Sequence, residues 1–469
     1  MSHASAEALI EAAEAAGPIL PVQAVTESAL EAVLAAGSEA LKALAALHEF
    51  KGQAGRLLLV PGADGALESV LFGLGKRAEV MSLRALPGKL PKGDYSLEAA
   101  GLDPEQAALA WALGTYVFDR YKAERSPPKA RLVVEGDLAA LRRRAHACAL
   151  ARDMVNTPAN DMGPKQIEAI AREIAHAHGA AVTVSVGDEL LEANYPAVHA
   201  VGRAAVETRG PRMIELSWKG STAPADAPLV VLVGKGVVFD TGGLDIKPSA
   251  GMRLMKKDMA GSAHALALAR MVMGDDLPIR LAVLIPAVEN AIAGDAMRPG
   301  DVIGSRKGLT IEIGNTDAEG RLILADALTR AGELEPDLTL DFATLTGAAR
   351  AALGPEVVPF YTDDEELAEE IEAASVLAAD PLWRMPMWDG YADSLNSEVA
   401  DLKNDPDAWA QAGSVTAALF LRRFAPERGA WVHFDIFGWS ARGRAGWPVG
   451  AEVQAIRALY RVLTDRYGA

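Results

Sequence analysis

The chain has 469 residues, 50% of them hydrophobic but only 6% aromatic, and a formal net charge of −17. That length exceeds one ordinary domain and allows a large core, while abundant Ala, Val and Leu predict helices packed on a buried sheet rather than a sandwich or a disordered chain. The acidic balance argues against a nucleic-acid partner, because phosphate binding is driven by clustered Lys and Arg.

Glu7, Glu11 and Glu14 among alanines do not read as a signal peptide, and no apolar run reaches membrane-spanning length. One cysteine, Cys148, excludes an intrachain disulfide framework and fits a reducing cytoplasm. Residues 1–140 alternate strand-like runs such as 57–61 with helical stretches such as 104–115, separated by Gly- and Pro-bearing turns. The turn Ser126-Pro127-Pro128-Lys129 precedes a strand-like run at 130–135. The long helical pattern over residues 138–156 then reads as a connector. These patterns predict a smaller N-terminal α/β domain over residues 1–140 and a larger α/β domain over 141–469, with a central mixed sheet flanked by helices. Arg142 to Arg144 reads as a solvated helix face, and Cys148 as a small core residue, since no Cys and His arrangement surrounds it.

From residue 229 the pattern becomes short apolar strands followed by polar turns and helices: 229–233, 280–286, 309–313 and 337–345. That repetition predicts a largely buried sheet with chemistry in loops at its strand ends. The first such loop, Gly234-Lys235-Gly236, is not a phosphate loop, because Lys235 is followed by Gly and another apolar run instead of Ser or Thr and a helix. Lys235 and Asp240 therefore read as site residues at a strand end. Lys247 precedes Pro248, and Asp258 sits where a turn enters an Ala- and Leu-rich helix starting near Gly261. Asn315-Thr316-Asp317-Ala318-Glu319-Gly320-Arg321 leads into a helix over 322–332, and in an extended segment Asp317 and Glu319 face the same side.

Asp240, Asp258, Asp317 and Glu319 would bring four negative charges to one sheet edge, where unpaired they repel and take up protons. Two readings remain open on spacing: an ion network with Lys235, Lys247 and Arg321, or two divalent cations. The oxygen-rich set suits Mg²⁺ and Mn²⁺ and also accommodates Zn²⁺. His264, six residues past Asp258 among alanines, reads as a helix-face residue rather than a ligand.

NTDAEGR at 315–321, VGKGVVFDTGG at 233–243, Lys247-Pro248 and KKDMAGSA at 256–263 together resemble the leucine aminopeptidase (cytosol aminopeptidase) family of dinuclear metallopeptidases. Supporting matches are Asn156-Thr157-Pro158, Glu289-Asn290, Arg298-Pro299-Gly300-Asp301 and the run from Asp341 to Ala348, in the same order over residues 140–469. The resemblance implies that the chain releases N-terminal amino acids from short peptides. Asp240 and Glu319 would bridge two ions, Lys235 and Asp258 complete one shell, and Asp317 the other. Lys235 would be neutral, because an amine binds metal only without its proton. It also implies that Lys247 polarises the scissile carbonyl and that metals roughly 3.5 Å apart lower the pKa of a bridging water. Arg321 would hold a bicarbonate that shuttles the proton, with Leu345 beside it. Met255, Thr344, Gly347 and Phe437 would line the pocket for the first side chain. Family members are homohexamers acting in the cytoplasm.

One position departs from the family pattern, which reads Asp-Ile-Ala-Gly where this chain reads Asp435-Ile436-Phe437-Gly438. Phe437 either projects into the pocket and narrows it or packs into core. Two further classes stay in view: an inactive scaffold or DNA-accessory protein on the same fold, and a dinuclear phosphoesterase. The latter is disfavoured because such sites usually rely on histidine as well.

Overall fold

Strands buried on both faces require helices on either side of the sheet, and Leu229–Gly234 is buried at every position. In the computed structural model, which describes residues 4–124, 127–406 and 411–468, this strand lies inside a nine-stranded sheet. Ser126, expected in a turn, lies outside the described residues. The chain divides into two compact α/β units, Met1–Leu150 with Ser440–Val449, and Ala151–Trp439 with Gly450–Ala469. The division falls within the helix Leu138–Asn156.

The first unit holds a six-stranded sheet in the order Leu9–Ile10, Ala130–Val133, Gly93–Ala99, Ile19–Thr26, Leu67–Gly75, Leu57–Pro61. All its pairs are parallel except the last. The helix Pro104–Gly114 starts at Asp103, whose carboxylate accepts from Gln106 N, and carries proline in its first turn. Both features satisfy or remove backbone donors that a helix start leaves unpaired. Arg84 ties in the 440–449 segment: its Nε donates to Gly446 O at 3.1 Å and its guanidinium lies 4.3 Å from the Trp447 ring. The basic run is engaged here as well, Arg142 with Leu9 O and Glu14, Arg144 with Glu105. Cys148 is buried.

In the second unit four parallel strands form the centre: Ala430–Asp435, Leu338–Ala343, Leu229–Gly234 and Arg280–Asn290. Antiparallel neighbours flank them, Val358–Tyr361 on one side and Arg212–Lys219 then Ala181–Val186 on the other. The sheet is thus mixed. Val231 and Val233 join a core with Leu322, Leu324 and Leu328 of the helix Glu319–Glu333, each fully buried Val or Leu contributing about 1.5–3 kcal/mol. The helix Ala260–Gly274 packs on Leu229–Gly234 and Leu338–Ala343. Gly261 permits that approach, since a Cβ there would meet Phe342 O at 2.1 Å and Lys235 N at 2.7 Å.

Two expectations need correction. The run at 309–313 does not enter the main sheet; Thr310–Glu312 pairs with Val302–Gly304 and Leu402–Lys403 in a separate three-stranded sheet. Only Ile311 of that strand is buried, so it cannot serve as a two-sided interior strand. Glu319 is not in an extended segment either: the helix begins at Glu319 itself, with Asp317 in the turn before it. Among the described residues no helix is long and apolar enough to cross a membrane.

Candidate active site

At the carboxyl ends of the central strands the backbone must turn, and polar side chains collect there without interrupting the buried ladder. Lys235 follows Leu229–Gly234 directly. The next strand, Gly236–Asp240, pairs with Arg280–Asn290 and sets Asp240 opposite Asn290. Every candidate residue except Arg321 lines one cavity of about 420 Å³ there.

Asp240 is held by neutral donors on one side only. Its Oδ1 accepts from Asn290 Nδ2 and Gly242 N, each at 2.8 Å, while Oδ2 lies 2.7 Å from Lys247 Nζ. Asp258 repeats the arrangement, with Oδ1 accepting from Thr344 Oγ1 at 2.7 Å and Oδ2 lying 2.8 Å from Lys235 Nζ. Asp317 ion-pairs with Lys247, and its turn is braced by Asn315 Oδ1, which accepts from Asp317 N at 2.8 Å. Lys235 Nζ also lies 3.0 Å from Glu319 Oε1 and donates to Thr344 O at 3.1 Å.

One oxygen from each of Asp240, Asp317 and Glu319 lies within 4.8 Å of the other two. Four carboxylates face two ammonium groups there. Glu319 is buried, and neither of its oxygens receives a hydrogen bond. Burial, and next the Asp240 charge, push Glu319 up to about 8 and Asp317 to about 6. Burial works against charge on Lys235, but Asp258, Glu319 and Asp240 outweigh it and hold its pKa above the ordinary lysine value. Lys247 is raised in the same way, with Asp240 its main partner. Carboxylate oxygens converging from three directions, with only ammonium groups to balance their charge, are the donor set a hard divalent cation takes. The residues fit such an ion.

The stem of Lys235 runs across the helix start at Gly320, where a Cβ would meet Lys235 Cε at 2.6 Å and Nζ at 2.7 Å. Gly320→Ala is therefore expected to displace an amine pinned between two carboxylates. Overpacking of this kind costs about 1–3 kcal/mol, read as a lowered melting temperature together with reduced metal uptake. Unchanged values of both would show that Lys235 is not confined by this contact.

Arg321 sits one turn behind the cavity wall. Its Nη1 donates to Asn404 O at 2.7 Å, while its Nε is buried with no hydrogen-bond partner, and burial lowers its pKa. The unpaired Nε fits an anion such as bicarbonate. The amide of Leu345 is already committed, donating to Asp435 Oδ1 at 2.9 Å. His264 is a core residue: Nδ1 meets Ala260 O at 2.6 Å, Nε2 accepts from Gln454 N at 3.1 Å, and burial lowers its pKa to about 4. Phe437 projects to the cavity with Met255, Thr344 and Gly347.

Sequence reasoning missed several supporting groups. Asn290 was visible as part of a motif but without a role; its position opposite Asp240 gives it one. Thr316 and Asp245 clamp two loops together, Asp245 N donating to Thr316 Oγ1 at 2.9 Å and Thr316 N to Asp245 Oδ2 at 2.7 Å. Asn404, distant in sequence, accepts from Gly314 N at 2.8 Å and donates to Asn315 O at 2.7 Å. Lys257 also lines the cavity, buried beside Phe437, and burial lowers its pKa to about 8.

A mixed α/β sheet thus carries, at its strand ends, a carboxylate-lined cavity whose donor set fits divalent cations, the arrangement of an α/β enzyme with its site in the strand-end loops. The chain belongs to the cytosol aminopeptidase family: the family's catalytic domain matches residues 149–460, and the M17 aminopeptidase N-terminal domain matches residues 20–135. It is 39% identical over 450 residues to a probable cytosol aminopeptidase of Syntrophotalea carbinolica, covering 88% of this chain and 89% of that one. The solved cytosol aminopeptidase from Coxiella burnetii is 42% identical with a TM-score of 0.92, over 98% of this chain and all of the other. The bottromycin maturation enzyme BotP, solved in complex with Mn, is 32% identical with a TM-score of 0.85, over 96% of this chain and 100% of that one. The protein is an aminopeptidase of this family.

Proposed function

We propose that the chain hydrolyses the N-terminal bond of short peptides at a site where Lys235, Asp240, Asp258, Asp317 and Glu319 hold two divalent cations. The observation that carries this reading is the buried Glu319 carboxylate, which faces Asp240 and Asp317 and has the Lys235 ammonium, 3.0 Å from Oε1, as its ion-pair partner while Oε2 has none. Bound cations would lower the pKa of a water, polarise the scissile carbonyl and hold the substrate's free amino group. The Mn of the similar BotP supports manganese, with zinc and magnesium as competitors.

Lys247 acts as an ammonium group, which its neighbours favour. Released from Asp240 and Asp317, it donates to the carbonyl oxygen as negative charge develops there. Arg321 would present its free Nε to an anion, bicarbonate in this reading, whose chemistry is to accept a proton; the four carboxylates of the cluster are committed to cations, Asp435 is engaged by Leu345, Thr346 and Ser414, and among the described residues no histidine lines the cavity. Elemental analysis combined with a panel of aminoacyl amides tests the reading. Metal-loaded protein that hydrolyses none of them would end it.

Cation binding competes with protons on these groups. Glu319 is protonated below about 8 and Asp317 below about 6, so the apparent affinity for Mn²⁺ is expected to weaken as pH falls through 8 and then 6, with protons released on binding. Calorimetry in buffers of differing ionisation enthalpy measures that release. A pH-independent affinity would show that the carboxylates are not the ligands.

Phe437 narrows the pocket for the first side chain. Phe437→Ala is expected to raise leucyl and methionyl hydrolysis relative to alanyl by about 10-fold, the scale of one to two methylenes in an apolar pocket. An unchanged ranking would discard the narrowing. By resemblance to its family we infer a cytoplasmic homohexamer, which light scattering at six times the chain mass would test.

A further inference from the structure

We propose that the cavity receives an acidic side chain, Asp or Glu, on the substrate's N-terminal residue, held by Lys257 and Arg350. The inference rests on the aminopeptidase reading and names its substrate class.

Lys257 lies in the turn that delivers Asp258 and is only 6% exposed. Its side chain borders the cavity, and among the described residues it forms no ion pair and its Nζ makes no hydrogen bond. What it meets instead is the Phe437 ring, with Nζ 4.7 Å from the centroid. Arg350, on the helix Gly347–Leu353, approaches the same ring, its guanidinium carbon 5.0 Å from the centroid. It too borders the cavity and has no ion pair among the described residues. Two cations thus converge on one aromatic wall.

The neighbouring carboxylates are engaged elsewhere. Asp435 accepts from Leu345 N, Thr346 N, Thr346 Oγ1 and Ser414 Oγ. Asp258 is divided between Thr344 and Lys235. A buried ammonium is costly unless an anion approaches it, and a ring face offsets only part of that. An entering leucine side chain would strip the remaining water from the Lys257 ammonium and return nothing. An entering carboxylate would pair with the ammonium and offer the guanidinium fork two oxygens. Gly347, which also borders the cavity, leaves open space, since a Cβ there would meet nothing within 4 Å.

The test compares glutamyl, aspartyl, leucyl and alanyl amides of a neutral fluorophore, which carry no C-terminal carboxylate, for the Mn²⁺-loaded native protein, Lys257→Met and Arg350→Met. The native protein is expected to cleave an acidic substrate at least as well as leucyl, and each variant to lower the acidic-to-leucyl ratio of kcat/KM by about 10- to 100-fold. A native protein that favours leucyl or alanyl over both acidic substrates by more than tenfold overturns the proposal, as does a ratio unmoved in Arg350→Met, the exposed and structurally safer change. Calorimetric binding of free L-glutamate and L-leucine, which share the α-carboxylate, separates this from failure of the aminopeptidase reading. Tighter glutamate binding that is lost in Arg350→Met supports the pocket even if no amide is cleaved, and equal or tighter leucine binding overturns it.

Discussion

Glu319→Gln is expected to remove bound metal and with it peptide hydrolysis, lowering kcat/KM by about 10³-fold or more, since activation of water at neutral pH is lost with the ions. The substitution keeps the side-chain shape and deletes the charge. Glu319 opens its helix, is buried, faces Asp240 and Asp317, and has only the Lys235 ammonium beside Oε1. No neighbouring group is placed to replace it. The loss will not arise from unfolding: a carboxyl whose folded pKa lies above its ordinary value destabilises the metal-free fold at any pH where it is ionised. The sign is that the folded state binds the proton more tightly than the unfolded one, so metal-free stability falls as pH rises from the ordinary carboxyl value towards 8. The metal-free variant should therefore melt no lower than the native protein near pH 8. Elemental analysis beside the melting curve checks both parts. Retained metal with lost activity would assign Glu319 to a different role.

Lys247→Ala is expected to do the opposite with metal. It should lower kcat by about 10²- to 10³-fold, the scale of one lost oxyanion donor, while metal content holds or rises. Lys247 Nζ lies 2.7 Å from Asp240 Oδ2 and also pairs with Asp317, so it competes with cations for those oxygens. Asp258→Ala is the contrasting case, because its Oδ2 has only the Lys235 amine as partner and its loss should empty the metal site along with activity. Equal metal loss in Lys247→Ala and Asp258→Ala would contradict the separate roles of ammonium and ligand.

Much of the site was legible because strand ends carry their own signature. Lys235 and Asp240 flank a run, Gly236 to Phe239, that is apolar where a phosphate loop would have Ser or Thr and a helix, and the Asp317 to Arg321 motif announces a helix start. His264 also reads correctly as a non-ligand. The supporting network was not legible. Asn404 braces the Gly314-Asn315 loop from across the sequence, and the run at 309–313 matches an interior strand until the structure shows only one face of it, Ile311 and Ile313, buried. Periodicity records apolar content; partners are set by which loops the sheet order brings together.

Phe437 shows the limit most directly. Its bulk where the family has a small residue was apparent from the chain, whereas its direction was not, and neither was the pair of cations beside it. By itself the sequence determined the family and the two-unit α/β organisation, and it singled out the acidic residues and lysines that the structure gathers in one cavity, because those follow from residue type and local order. Only the tertiary structure decided that Glu319 lies buried with an unpartnered Oε2, that Gly320 makes room for the Lys235 stem, and that Lys257 and Arg350 meet over one ring. Such facts depend on distances between segments far apart in sequence, which the packing of helices on the sheet fixes and which local pattern does not encode.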